Sequence, residues 1–183
     1  LLRLLQVLLI LIQFIILVLR RLQPGHVNLG QPASWQVDLS TNEFTWAIWF
    51  RYDDREGRIL SCRINAGAQF DLTLSSGVLY AIIGSNSMNG GSSLADGNWH
   101  HVVVTSRNEG GTYVARIFID GNTTSVANTN AGTYVTTGID WLIGHQHGAN
   151  NTDWAFGAYS NMWFAHLTAW SVGFTRYTIS RII

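Results

Sequence analysis

The sequence predicts a mostly β protein, an antiparallel β-sandwich preceded by one long hydrophobic N-terminal α-helix. Three observations carry this. Residues 1–22 are almost uninterrupted apolar side chains, with no Gly, Pro, Ser or Thr among them. From about residue 26 onward, apolar residues recur at every second position in short runs, the period of a strand. Between those runs lie clusters of Gly, Asn, Asp and Ser, and no amphipathic helix intervenes.

The first element is LLRLLQVLLILIQFIILVLRRL, in which 17 of 22 residues are large and apolar. As a helix it is about 33 Å long, enough to cross a bilayer core. Gln23-Pro24-Gly25 ends it. At about 100° per residue, Arg3, Gln6, Gln13, Arg20 and Arg21 share one stripe. Opposite lie Leu1, Leu4, Leu8, Leu11, Ile15, Val18 and Leu22, spaced alternately by three and four, which is a heptad seam. Leu5, Ile12 and Leu19 widen the apolar face on one flank, and Val7 and Phe14 on the other. Such a face favours more than two helices. Three readings stand: an assembly helix that associates with its own copies, a lone membrane span, or an uncleaved signal peptide. A lone span does not need a seam, and Arg20-Arg21 on its domain side would hold that domain in the cytoplasm. A signal peptide would want a shorter core and a small-residue cleavage site. The chain opens at Leu1 rather than Met, which reads as a processed or partial terminus. Residues 1–23 are accordingly the assembly or membrane helix, 24–34 a linker into the sandwich, and 35–183 the domain.

The strands follow in order. FTWAIWFRY (44–52) alternates Phe44, Trp46, Ile48 and Phe50 against Thr45, Ala47, Trp49 and Arg51. Further strands are expected at 58–64, 70–74, 78–83, 100–106, 113–120, 123–128, 140–144 and 162–170. Asp120-Gly121 is a two-residue hairpin signal. SNSMNGGSSLADGN, RNEGGT and HQHGANNTD read as loops. The balance of 11 basic and 11 acidic residues, every basic one an Arg, leaves no electrostatic footprint for nucleic acid. The single cysteine, Cys62, cannot form an internal disulfide, and RILSCRI reads as a strand in which it fills core space. With 47% hydrophobic and 12% charged residues, the chain can fill one sizeable core.

DGNWHHVVVT (96–105) sets two histidines beside a tryptophan. Alternation puts Trp99, His101, Val103 and Thr105 on one face, and His100, Val102 and Val104 on the other. Both faces are largely apolar, so a histidine here is expected to bond a backbone carbonyl and pin a loop. The stretch SLADGNWHHVVVTSRNEGGTYVARIFIDGNTTS resembles the laminin-G-like, or concanavalin-A-like, jelly roll, a group that includes the pentraxins. Its Asp-Gly-x-Trp-His-His-Val turn and its Phe118-Ile119-Asp120-Gly121 strand end carry the likeness. HVNLGQPASWQVDLSTNEFTWAIWFRYDDREGRILSCR is similar to the opening strands of that family, and WLIGHQ to a later one. In the closing strand, His166 and Thr168 stand where charges are usual. The resemblance covers residues 26–180 and implies a jelly roll for the sandwich.

Relatives of that fold include glycoside hydrolases, which need two carboxyl groups flanking the bond. The chain has three glutamates, Glu43, Glu56 and Glu109, none close to another, and Asp53, Asp54 and Glu56 read as a solvated turn with Arg55 and Arg58. No nucleophile elbow, phosphate loop or His-Glu-x-x-His is present. The protein is therefore expected not to be an enzyme and to require no cofactor. His145 and His147, with Asp153 nearby, have donor types that suit a transition metal. Calcium on one rim is implied by the resemblance, although the loop offers one Asp where the ion wants several carboxylates. The candidate ligand-binding residues are His145, His147, Asn151, Asp153 and Trp154. A sugar would stack its C–H face on Trp154 and bond its hydroxyls to the others.

The reading that follows is a non-enzymatic surface subunit or adhesin, extracellular or on a cell or virion surface. Copies assemble through the helix into a filament, pilus-like structure or fibre, and the lectin-like sandwich faces outward toward glycans. The layout is similar to pilin-type subunits, except that position 5 is Leu where those usually carry Glu. The alternative is a single-span, membrane-anchored glycan-binding lectin.

Overall fold

A computed structural model of the chain describes residues 15–16, 20–21, 26–64, 67–128, 133–144, 162–175 and 179. Among them run β1 (Ile15–Ile16), β2 (Arg20–Arg21), β3 (Val27–Gly30), β4 (Phe44–Arg51), β5 (Gly57–Ile64), β6 (Gly67–Ser75), β7 (Val78–Ile83), β8 (Asn86–Ser93), β9 (Trp99–Glu109), β10 (Thr112–Ile119), β11 (Asn122–Asn128), β12 (Trp141–Ile143) and β13 (Trp163–Trp170). One sheet has the order β1-β13-β4-β9-β10-β11, with β2 also on β13, and the other β3-β12-β5-β6-β7-β8. Every described pairing is antiparallel. The two sheets face each other as a sandwich, and β3 falls within the stretch read as linker.

The core follows from the alternation in β4. Phe44, Trp46, Ile48 and Phe50 point between the sheets. There Trp46 meets Phe44 at 4.2 Å, Phe70 at 4.5 Å and Trp141 at 4.8 Å between ring centroids. Trp35 closes the group edge-on to Trp141 at 5.1 Å. Phe70 and Trp141 belong to the opposite sheet, so these rings clamp one sheet to the other. Cys62 fills core space as expected; it is fully buried, and burial above all pushes its thiol pKa up.

The hairpins obey their turn chemistry. Asp120 and Gly121 both have positive φ, +49° and +81°, which a tight I′ turn requires. Ser76-Gly77 repeats this between β6 and β7, at +52° and +83°.

Two expectations are corrected. Residues 86–93, read as loop, form β8, which pairs with β7 at the sheet edge. Backbone pairing makes this strand, and small residues permit it: a Cβ on Gly90 would lie 2.8 Å from the Ile119 side chain. The sequence signal was absent because Met88 is its only large apolar residue. The second correction concerns the N-terminal segment. At Ile15–Ile16 and Arg20–Arg21 the expected helix is replaced by strand, paired with β13. An open edge on β13 would present unpaired N–H and C=O groups, and β-branched isoleucines suit a strand. The remainder of the proposed seam, Leu1, Leu4, Leu8, Leu11, Val18 and Leu22, lies outside the described residues. No helix among the described residues is long and apolar enough to cross a membrane.

Replacing Trp141 with Ala removes the ring that joins the sheets. The expected cost is about 3–5 kcal/mol, read as a lower midpoint in urea unfolding; a loss below about 1 kcal/mol would contradict the clamp.

Candidate functional site

The outer face of the seven-stranded sheet divides into two halves. One is covered by the chain after β13. Phe174 and Ile179 pack on Ala47, Val103 and Phe118. Outward Thr45 and Thr105 explain how the cover is held. The Thr45 hydroxyl donates to the Val172 carbonyl at 2.8 Å and the Thr105 hydroxyl to that of Phe44 at 3.1 Å. The Phe174 N–H reaches both hydroxyl oxygens, at 3.0 and 2.9 Å. A Cβ on Gly173 would collide with the Ser106 carbonyl, so only glycine lets the chain pass this close.

The other half carries aromatic rings. Register sets Arg51 directly opposite Trp99 on β9 and Trp163 on β13. Directly opposed residues share a face. Trp163, Arg51 and Trp99 therefore form one row across three adjacent strands. Behind it, Trp49 lies opposite His101 and stacks on its ring at 4.9 Å and 29°. Burial pushes the His101 pKa down, so the stacked imidazole is neutral at physiological pH. Trp99 is 36% exposed and Arg51 is exposed, whereas Trp49 and Trp163 are half-buried. A platform of indoles beside the Arg51 guanidinium is suited to ring stacking and to anion pairing.

The row sits at a rim where several turns are laced together. The Gly97 N–H donates to Tyr52 O at 3.0 Å, Gly77 to Arg55 O at 2.7 Å, and Leu94 to Gly77 O at 2.8 Å. The paired histidines are divided here. His100 Nδ1 is 2.8 Å from Asp120 Oδ2 and Nε2 is 3.1 Å from Asp96 Oδ1. Asp120 Oδ1 also accepts the His101 N–H at 2.8 Å. His100 thus does pin loops, but through two carboxylates where a carbonyl was expected. Burial opposes its charge, and the two carboxylate bonds outweigh that, so its pKa is raised. Asp96, held by the Asn98 N–H and side chain and by His100, is lowered to about 2.

The three glutamates and Asp71 are committed to structure. Glu43 accepts the Asn108 and Gly173 N–H groups. Glu56 accepts the Ser76 N–H, and Glu109 takes both guanidinium nitrogens of Arg116. Asp71, fully buried on the outer face of the six-stranded sheet, accepts from Ser61 and Arg63 and lies 3.6 Å from Arg58. Among the described residues no three His, Cys, Asp or Glu side chains stand together as a metal site.

The sequence-derived candidates His145, His147, Asn151, Asp153 and Trp154 lie outside the described residues. The described chain stops at Gly144, whose N–H donates to Ile59 O, and resumes at Met162, next to Trp163. Both points are at the rim of the tryptophan row. The row itself went unrecognised in the sequence, although its signal was there: Arg51, Trp99 and Trp163 are each strand-terminal residues out of step with the core.

A laminin G-type family model described as the concanavalin A-like lectin/glucanases superfamily matches residues 25–164. No curated protein matches the sequence. Among solved structures, the binding domain of Paraclostridial Mosquitocidal Protein 1 superposes with a TM-score of 0.69 at 10% identity, over 88% of this chain and 42% of that one. The botulinum neurotoxin serotype D ligand binding domain, solved in complex with N-acetylneuraminic acid, gives 0.60 at 10% identity, over 86% and 39%. A heptameric SAP-like pentraxin from Limulus polyphemus gives 0.58 at 18%, over 77% and 69%. At these identities the likeness is one of fold, and the chain spans about two fifths of the toxin domains.

The histidine bridge makes a pH prediction. The folded pKa of His100 lies above its ordinary 6.5. Its stabilisation is therefore full below that pH and is lost as pH rises through the folded pKa. A His100→Gln protein is expected to be less stable than the parent by about 1–2 kcal/mol at pH 5.5, roughly the worth of partly exposed charge-assisted bonds. The gap should narrow toward pH 9 in thermal unfolding. His101 works in the opposite sense, losing stability as pH falls below 6.5, and cancels between the two proteins. A gap that widened with pH would refute the bridge.

Proposed function

Because this chain belongs to the concanavalin A-like lectin/glucanases superfamily through residues 25–164, we propose that it is a non-catalytic, lectin-like module that binds glycans at the tryptophan row. The row of Trp163, Arg51 and Trp99 on an open sheet face carries the reading. Pyranose rings present apolar C–H faces that pack on indoles, and their hydroxyls find the polar rim. The fold relative solved with N-acetylneuraminic acid supports a sugar as ligand. Stacking of this kind needs neither metal nor other cofactor.

The superfamily also contains glucanases, whose chemistry needs two carboxyl groups about 5–10 Å apart around an open cleft. The bonding of Glu43, Glu56, Glu109 and Asp71 to backbone, Arg and Ser supports binding without turnover. An extracellular or surface location fits such a module.

Trp99→Ala is expected to abolish retention on a glycan array while circular dichroism and melting stay unchanged. Unaltered retention would move the site off the row, and Trp154→Ala then tests the segment that begins at the same rim.

Self-association is a second part of the proposal. The apolar run from Leu1 to Phe14, ahead of the stretch paired on β13, supports contact between copies, with the sandwich held outward. Electron microscopy of the full chain without detergent is expected to show particles of many copies. Monomers recovered only in micelles would favour a membrane-anchored lectin instead.

A further inference from the structure

We infer that the glycan bound at the tryptophan row is acidic: a carboxylate or sulfate is taken by Arg51 while adjoining sugar rings stack on Trp99 and Trp163. The inference rests on the glycan reading and adds its charge.

Arg51 differs from the sandwich arginines whose side-chain partners are described. Arg58 and Arg63 are spent on Asp71, and Arg116 on Glu109. Arg55 donates to the Ser76 carbonyl. Arg51 is exposed, and among the described residues it has no carboxylate within ion-pair distance. Its neighbours in register are indoles on both sides, and Trp49 and the neutral His101 stand behind. Among the described residues nothing in that surround neutralises the guanidinium. A planar guanidinium gives two parallel donors to a carboxylate or sulfate, and its weak hydration lets it work between apolar rings.

The spacing fits as well. Neighbouring strands lie about 4.8 Å apart, so the two indoles are separated by about 10 Å with Arg51 midway. That is the reach of two successive sugar rings with an acidic group between the stacking points. A ligand of this kind uses all three residues at once, whereas a neutral sugar leaves the central cation without a partner.

The test is affinity electrophoresis of the full chain in polygalacturonate, chondroitin sulfate and neutral dextran, with Arg51→Gln and Trp99→Ala as variants of unchanged melting temperature. Retardation is expected in at least one acidic polymer, falling roughly tenfold or more in Arg51→Gln and weakening as salt is added. Trp99→Ala should lose it too. If dextran retards the parent equally and Arg51→Gln behaves as the parent, the charge assignment is wrong and the lectin reading survives. If acidic polymers retard Trp99→Ala undiminished, binding is plain surface attraction and the assignment is also wrong. If no polymer retards the parent, both readings fall.

Discussion

The structure depends on a wedge of aromatic rings between two sheets. Trp46 on β4 contacts Phe70 and Trp141, which belong to the opposite sheet. Large rings bury more apolar area per residue than any other side chain, and offset or tilted contacts add to that. Once Trp46 points inward, the pleat fixes every other residue of β4. Thr45, Ala47, Trp49 and Arg51 must point out. A slip of one residue would put Arg51 in the core and Trp46 in water, so the register of β4 against β9 and β13 is strongly specified. The same interaction that closes the core thereby builds the external row of Trp163, Arg51 and Trp99.

The outer face then had to be resolved, because a sheet with apolar residues on both sides is not stable in water without cover. The described C-terminal chain covers Ala47, Val103 and Phe118, anchored by two threonine hydroxyls that satisfy the passing backbone. This explains why strands buried on both sides still carry Thr at 45 and 105. The described part of that cover packs on Ala47, Val103 and Phe118 and not on the tryptophan row. Beyond it lies a patch of indoles around Arg51, which has no carboxylate partner among the described residues, chemically suited to a ligand with both apolar faces and charge.

Charge is used sparingly and mostly for construction. Asp96 and Asp120 hold His100 between them and join two turns that are 24 residues apart in sequence. Asp38 ties its own loop to Tyr134 and Ser40; although burial opposes its charge, those bonds lower its pKa. The glutamates are bonded to backbone N–H groups or arginine. Arg51 has no carboxylate within ion-pair distance among the described residues.

By itself, the sequence determined the class of fold, the inward and outward faces of its long strands, the Asp120-Gly121 hairpin and the loop-pinning employment of His100. Each is a local property: alternation, turn chemistry and apolar content are written in neighbouring residues. Tertiary structure alone decided that the glycine-rich stretch at 86–93 is a strand, that Ile15–Ile16 and Arg20–Arg21 pair on β13, and that His100 bonds carboxylates. Only the folded chain could bring Arg51, Trp99 and Trp163 together. They are separated by 48 and 64 residues in the chain, and cross-strand neighbours are chosen by sheet order, which no short window of sequence contains.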